Sequence, residues 1–213
     1  MIFDIHSVKD KKIEKFYSNA IKEMNEFYKI NWNRNMPKVF LIPNRKEYDI
    51  FSDKKTENWE VGSTIGGSYA VYMLNPKVYE KESCHKYSDE EYETLLKHEI
   101  SHLYTNIFYR EYYPVWLLEG IAIYSSGQLE IKPKIKEFKR FLEFFENGGS
   151  AVYGEAGFAV MILDKEFGRE KLLKFLKSLN GIKDEEEFKK IYTEIYGIEL
   201  SYKWFNERIN KYI

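Results

Sequence analysis

Leu95-Leu96-Lys97-His98-Glu99-Ile100-Ser101-His102-Leu103 is the stretch that decides how the rest of the chain is read. It spells His-Glu-x-x-His inside a helical pattern. On an α-helix, residues i and i+4 share a face and stand about 5–6 Å apart at Cβ, so His98 and His102 can grip one ion between their imidazoles. Glu99 lies one position on, beside the pair. That suits a residue acting on an ion-bound water better than one binding the ion. The plain alternative is two surface histidines on a charged helix.

The flanks strengthen the first reading. Ser88 with Glu91 forms a capping box, which predicts a helix start. Leu96, Ile100, Leu103 and Ile107 then recur at helical spacing as a core stripe, and Leu95, His98, His102 and Thr105 fall on the adjoining face. Tyr112-Tyr113-Pro114 is expected to end the helix, because proline disfavours a helical residue before it. A zinc site needs a third protein ligand, and catalysis needs a fourth position left open. Trp116-Leu117-Leu118-Glu119-Gly120-Ile121-Ala122 offers that ligand. Pro114 is suited to open a second helix, and Glu119 is a lone acid in an apolar run, where an unpartnered carboxylate is costly. A bound cation would account for it; so would water, or a Lys or Arg partner.

His98-Glu99-x-x-His102 followed by Trp116-Leu117-x-Glu119-Gly120-x-Ala122 resembles the gluzincin metallopeptidases. These are thermolysin-like and aminopeptidase-like zinc enzymes in which a glutamate on a second helix completes the site. The resemblance covers about residues 88–127 and implies a zincin-like fold, zinc held by His98, His102 and Glu119, and Glu99 as general base. Similar small domains carry a tyrosine at the head of a later helix, here Tyr153 in Tyr153-Gly154-x-Ala156-Gly157-Phe158. The metzincin pattern does not fit: Thr105 stands where its glycine would be and Phe108 where its third histidine would be. Ile123 occupies the place of the aspartate that orients a histidine in thermolysin-like enzymes, so the partners behind the histidines stay unassigned. The Gly-x-Met-Glu-Asn motif of aminopeptidases is missing.

Composition sets the outer limits. The chain has 213 residues, 44% apolar and 17% aromatic, with 18 Tyr and 15 Phe, which argues against disorder and permits a sizeable core. One domain is expected over 1–213, with a mixed α/β lobe carrying the active-site helix (1–112) and a helical lobe (113–213). The fold class expected is α+β, mostly helical, with a small sheet. A net charge of -1 gives no electrostatic case for nucleic acid. A single cysteine, Cys84, allows no intrachain disulfide. Neither a signal peptide nor an apolar run of membrane-spanning length is seen, so a cytoplasmic protein is expected.

Elsewhere the pattern predicts a helix over about 8–30 with Ile13, Phe16, Tyr17, Ala20, Ile21, Met24, Phe27 and Tyr28 inward. A strand is expected between Pro37 and Pro43. Asn44 and Glu47 predict a short helix through Tyr48 and Phe51, followed by a loop over 53–60 anchored by Trp59. Val61 to Asn75 reads as two strands turning at Gly66-Gly67. In the family resembled, an edge strand pairs with substrate backbone; a hairpin that merely covers the core is the alternative. Residues 77–87 read as a polar connection. Cys84-His85 is weak support for a second metal site, and His85 is a possible substrate contact. His6 reads as a surface residue. Gly127 is expected to cap the Glu119 helix. Pro133 is expected to open a helix with Ile135, Phe138, Phe141, Leu142 and Phe145 inward. A helix over 153–167 follows, then one marked by Leu172, Leu173, Phe175, Leu176 and Leu179, one by Phe188, Ile191, Tyr192 and Ile195, and a last one by Trp204, Phe205, Ile209 and Tyr212.

The function expected is peptide hydrolysis of a peptide or protein substrate by a zinc-activated water. Glu99 would move the proton and Tyr153 would donate to the oxyanion; Tyr153 as a packing residue is the alternative. Glu155 is expected to be solvated. A zinc-binding module without hydrolysis, a hydrolase of a non-peptide amide, and a purely structural helical protein are the competing classes.

Overall fold

The computed structural model describes residues 5–65, 69–110, 114–149 and 152–213. In chain order the elements are α1 (Lys11–Tyr28), β1 (Lys38–Ile42), α2 (Arg45–Ser52), β2 (Gly62–Ile65), β3 (Ala70–Leu74), α3 (Tyr79–Glu82), α4 (Asp89–Phe108), α5 (Val115–Ser125), α6 (Val152–Phe167), α7 (Arg169–Ser178), α8 (Glu185–Tyr196), α9 (Tyr202–Asn206) and α10 (Ile209–Tyr212). The fold is α+β and mostly helical, as the sequence indicates. All three strands precede residue 75.

The helix starts are set by side-chain caps. Asp10 accepts from the amides of Lys12 and Ile13, Asn44 from Glu47, and Ser88 from Glu91, each satisfying an amide that the first helical turn leaves without a partner. The inward stripe of α1 is buried at every expected position except the half-buried Tyr17. It packs on α4, the central helix. Eleven of the 20 residues of α4 are buried, from Tyr92 to Phe108, because α1, the sheet and α5 close over it from different sides. Ile107 departs from its expected place: it is 48% exposed. The turn at Gly66-Gly67 and the Tyr112-Tyr113 helix stop lie outside the described residues. Helix α4 has already ended at Phe108, with Tyr109 extended behind it.

The sheet has the order β1-β3-β2. Strand β1 runs parallel to β3 (Val39 opposite Val71), and β2 runs antiparallel to it (Ser63 opposite Tyr72). Strand β2 is therefore an edge, and it packs against α4.

Helices α5 and α6 cross at two glycines. A Cβ on Gly120 would lie 2.6 Å from the Ala156 carbonyl oxygen, and one on Gly157 would collide with the Ile123 side chain. Two missing side chains thus let the backbones meet. A buried hydroxyl chain fastens the neighbouring helices: Tyr28 Oη lies 2.6 Å from Ser101 Oγ and 2.8 Å from Thr105 Oγ1, and Ser101 Oγ lies 2.7 Å from Ser125 Oγ. It joins α1, α4 and α5 directly behind His102.

Residues 131–149 correct the sequence reading. The helix expected after Pro133 is absent; the segment is irregular apart from one 3-10 turn, Phe141–Glu143. Phe138, Phe141 and Phe145 are buried nonetheless. The amides that a helix would have used are taken by tertiary partners. The Glu155 carboxylate accepts from the amides of Lys139, Arg140 and Phe141 at 3.0–3.1 Å. The Asn206 side chain bonds both the amide and the carbonyl of Phe138, and Tyr202 Oη accepts from Leu142. Glu155 is therefore a structural clamp and not a solvated acid. The last helix is likewise broken in two, as α9 and α10.

Candidate metal centre

His98 and His102 sit one helical turn apart on α4, and Glu119 is on the second turn of α5. The structure brings the three together. The two Nε2 atoms are 3.1 Å apart, Glu119 Oε2 is 3.3 Å from His98 Nε2, and Glu119 Oε1 is 3.7 Å from His102 Nε2. Among the described residues this is the one group of three or more His, Cys, Asp or Glu side chains placed to hold a metal ion. Cys84 is exposed and forms no second cluster.

The group fits a metal ion by two criteria. Donor atoms bonded at about 2.0–2.1 Å to a tetrahedral ion stand about 3.3 Å apart, which is close to the spacings here. In addition, Glu119 Oε2 is buried without a hydrogen-bond partner, a condition that costs about 1–3 kcal/mol or more for a charged group. An ion at the focus of the three side chains removes that cost.

The electrostatics agree. Burial works to raise the Glu119 carboxyl, but the imidazoles of His102 and His98 outweigh it and hold the group below its ordinary range. Burial pushes the His102 ring down to about 4, with Glu119 opposing and His98 reinforcing the shift, so its nitrogen keeps a free lone pair. Burial also disfavours charge on His98, yet Glu119 and Glu99 lift that ring net above its usual value.

Behind His98, Nδ1 lies 3.1 Å from Gln128 Oε1. An amide oxygen only accepts, so Nδ1 carries the hydrogen and Nε2 points its lone pair at Glu119 and His102. Gln128 opens the 3-10 turn Gln128–Glu130, reached through Gly127 in the left-handed conformation (φ 81°) after α5. The expected glycine stop is thus also what returns the chain to the His98–His102–Glu119 group. Ile123 is fully buried against Gly157 and takes no part in orienting a histidine.

Glu99 faces β2. Positions 62 and 64 alternate onto one face of that strand, and both meet the carboxylate. A Cβ at Gly62 would fall 2.9 Å from Glu99 Oε1, so only glycine lets the strand approach this closely. The Thr64 hydroxyl hydrogen-bonds to Glu99. Burial pushes the Glu99 carboxyl up to about 7; His98 and Thr64 oppose the rise and Glu119 adds to it.

These residues line a cleft of about 640 Å³, within the range of small-molecule and short-peptide sites. One wall is β2 and the 53–60 loop. Tyr153, at the head of α6, is half-buried in the cleft, and its ring lies 6.0 Å from that of Trp59. Burial, with the fields of Glu119 and Glu99, raises its hydroxyl well above the ordinary phenol range. Trp59 is 47% exposed and does not anchor the loop. Arg45 does: its guanidinium donates to Thr56 Oγ1 and to the carbonyls of Glu57, Asn58, Glu60 and Glu82. His85 lines the cleft, but its ring nitrogens are committed to Glu91 (3.1 Å) and the Trp59 carbonyl (3.0 Å), so it braces the wall and is not free for substrate. His6 is exposed.

Gln128, Gly62, Thr64 and Lys132, which also lines the cleft, are site residues that sequence reasoning passes over. Gly62 and Thr64 carry a faint signal, a small residue and a hydroxyl two apart in a strand pattern. Gln128 and Lys132 carry none. Set against known protein families, curated proteins and solved structures, the chain finds no match in any of the three. No helix among the described residues is long and apolar enough to cross a membrane.

Proposed function

We propose that the chain is a zinc-dependent peptidase of the gluzincin type, with a zincin-like fold, hydrolysing peptide bonds in the cleft between β2 and the α4–α5 pair. The observation that carries this reading is the buried Glu119 Oε2, which makes no hydrogen bond although it lies 3.3 Å from His98 Nε2, beside two imidazole nitrogens only 3.1 Å apart. Two imidazoles and one carboxylate form a donor set suited to zinc, and three protein ligands leave one tetrahedral position open. When bound there, zinc lowers the pKa of water from 15.7 toward about 7 and polarises a carbonyl oxygen.

The chain's own groups divide the remaining work. Glu99 is held against β2 by Thr64 and by the absence of a side chain at Gly62. Its carboxylate takes a proton from the attacking water and passes it to the leaving amine. Tyr153 keeps its phenol protonated and donates to the developing oxyanion. The free edge of β2 takes an extended peptide by strand addition, which binds backbone with little demand on side chains.

Purified protein should carry about one zinc per chain, and a peptide library profiled by mass spectrometry should show cleavage that chelators abolish. Glu99→Gln should keep the metal and lower turnover about 10²–10⁴-fold; undiminished turnover, or failure to bind metal, would refute the reading. Tyr153→Phe should lower kcat about 10²-fold with KM little changed. An unchanged kcat would return Tyr153 to packing.

A further inference from the structure

Every carboxylate that lines the cleft has an assigned partner. Glu60 is held by Lys54 at 2.6 Å and by the Glu57 amide, Glu91 by His85, Glu99 by the Thr64 hydroxyl, and Glu119 belongs to the metal cluster. The cations are unequal to this. Lys132 is the one Lys or Arg among the described residues lining the cleft. It is half-buried and makes no ion pair or hydrogen bond with any described residue.

Its placement follows from the turn before it. It follows the Gln128–Glu130 turn, whose first residue orients His98, and the turn is closed by the Ile131 amide on the Gln128 carbonyl at 3.3 Å. Lys132 therefore stands over the same end of the cleft as the ligand cluster. Burial lowers its ammonium below the ordinary range, and only the field of Glu119 opposes this. A cation bound by Glu119 would cancel that field and leave Lys132 beside a net positive centre, partly desolvated and uncompensated. No described side chain forms an ion pair with it, so a ligand carboxylate is the counter-charge the cleft is placed to receive.

We propose that Lys132 is the anion-recognising residue of this cleft and that the site takes substrates bearing a free carboxylate close to the bond to be cut. This deepens the peptidase reading and rests on it for the word substrate. The carboxylate has two sources, the carboxyl terminus of a peptide or an Asp or Glu side chain. An ammonium is a point-like partner and accepts either.

The test is a binding titration on the non-hydrolysing Glu99→Gln protein as purified, with metal content measured in parallel, read by the fluorescence of Trp59 at the cleft wall. Three probes are compared: an N-acetylated dipeptide acid, its carboxamide, and the carboxamide carrying an aspartate side chain. At least one carboxylate probe should bind tenfold or more tighter than the plain carboxamide, and which one does identifies the source. Adding Lys132→Gln should bring the ratio close to one, Lys132→Arg should preserve it, and Lys132→Glu should reverse it. Equal affinity for acid and carboxamide, or a preference that survives Lys132→Gln, would overturn the proposal. The titration reads binding without turnover, so failure here and failure of the peptidase reading are separate results.

Discussion

The floor and the rim of the cleft are built by different means. The floor is α4, α5 and α6, long helices joined through apolar faces, crossing glycines and a buried hydroxyl chain. The rim draws on two irregular segments, 53–60 and 131–149 (through Lys132), whose backbone groups are tied to side chains from other elements. Arg45 gathers carbonyls on one side, and Glu155 gathers amides on the other. A floor of this kind is over-determined, because each ligand is positioned by many contacts. A rim of this kind depends on a few side chains reaching in from other elements, so its shape can change with less disturbance to the candidate ligands beneath it.

That contrast can be broken at the floor. Gly120→Ala places a methyl group 2.6 Å from the Ala156 carbonyl oxygen, where backbone has to move; the expected loss is about 3 kcal/mol, measured by denaturant unfolding, with metal affinity falling alongside. A stability near that of the parent would show that α5 and α6 can separate at no cost, and the floor would be no firmer than the rim. A smaller effect is expected one step behind the ligands. Gln128→Leu removes the acceptor on His98 Nδ1, and metal affinity should fall about 10–100-fold by competition against a chelator, with the fold unchanged. The rim sharpens the comparison. Glu155→Ala frees three amides to water and should cost about 2 kcal/mol. Hydrogen exchange should rise over 138–142 alone, with metal affinity unaltered. Exchange spreading into α5 would mean the two regions are one unit.

Legibility follows the same division. His98, Glu99, His102 and Glu119 are readable as a candidate site because two histidines four residues apart share one helix face and a lone acid stands in an apolar run on the next helix. The caps at Asn44 and Ser88 are readable because the acceptor and the amide it serves are three residues apart. The helix expected after Pro133 does not form, although Phe138, Phe141 and Phe145 are as buried as their spacing suggests. Helical spacing of aromatics reports burial, not backbone, when Glu155, Asn206 and Tyr202 compete for the amides. Trp59 misleads in the opposite sense: a large aromatic in a loop suggests an anchor, whereas an arginine from another element does the holding.

The sequence by itself determined the pairing of His98 with His102 on one helix face, most of the amphipathic helices and the strands between Val61 and Asn75, since each depends on spacings of two to four residues along one element. Only the tertiary structure decided that Gln128 stands behind His98, that Gly62 and Thr64 press on Glu99, and that Lys132 faces the cleft with no ion-pair partner among the described residues. Those relations join residues 30 or more apart in the chain or turn on what is absent around a side chain. They come into being only when separate elements pack and water is excluded from between them.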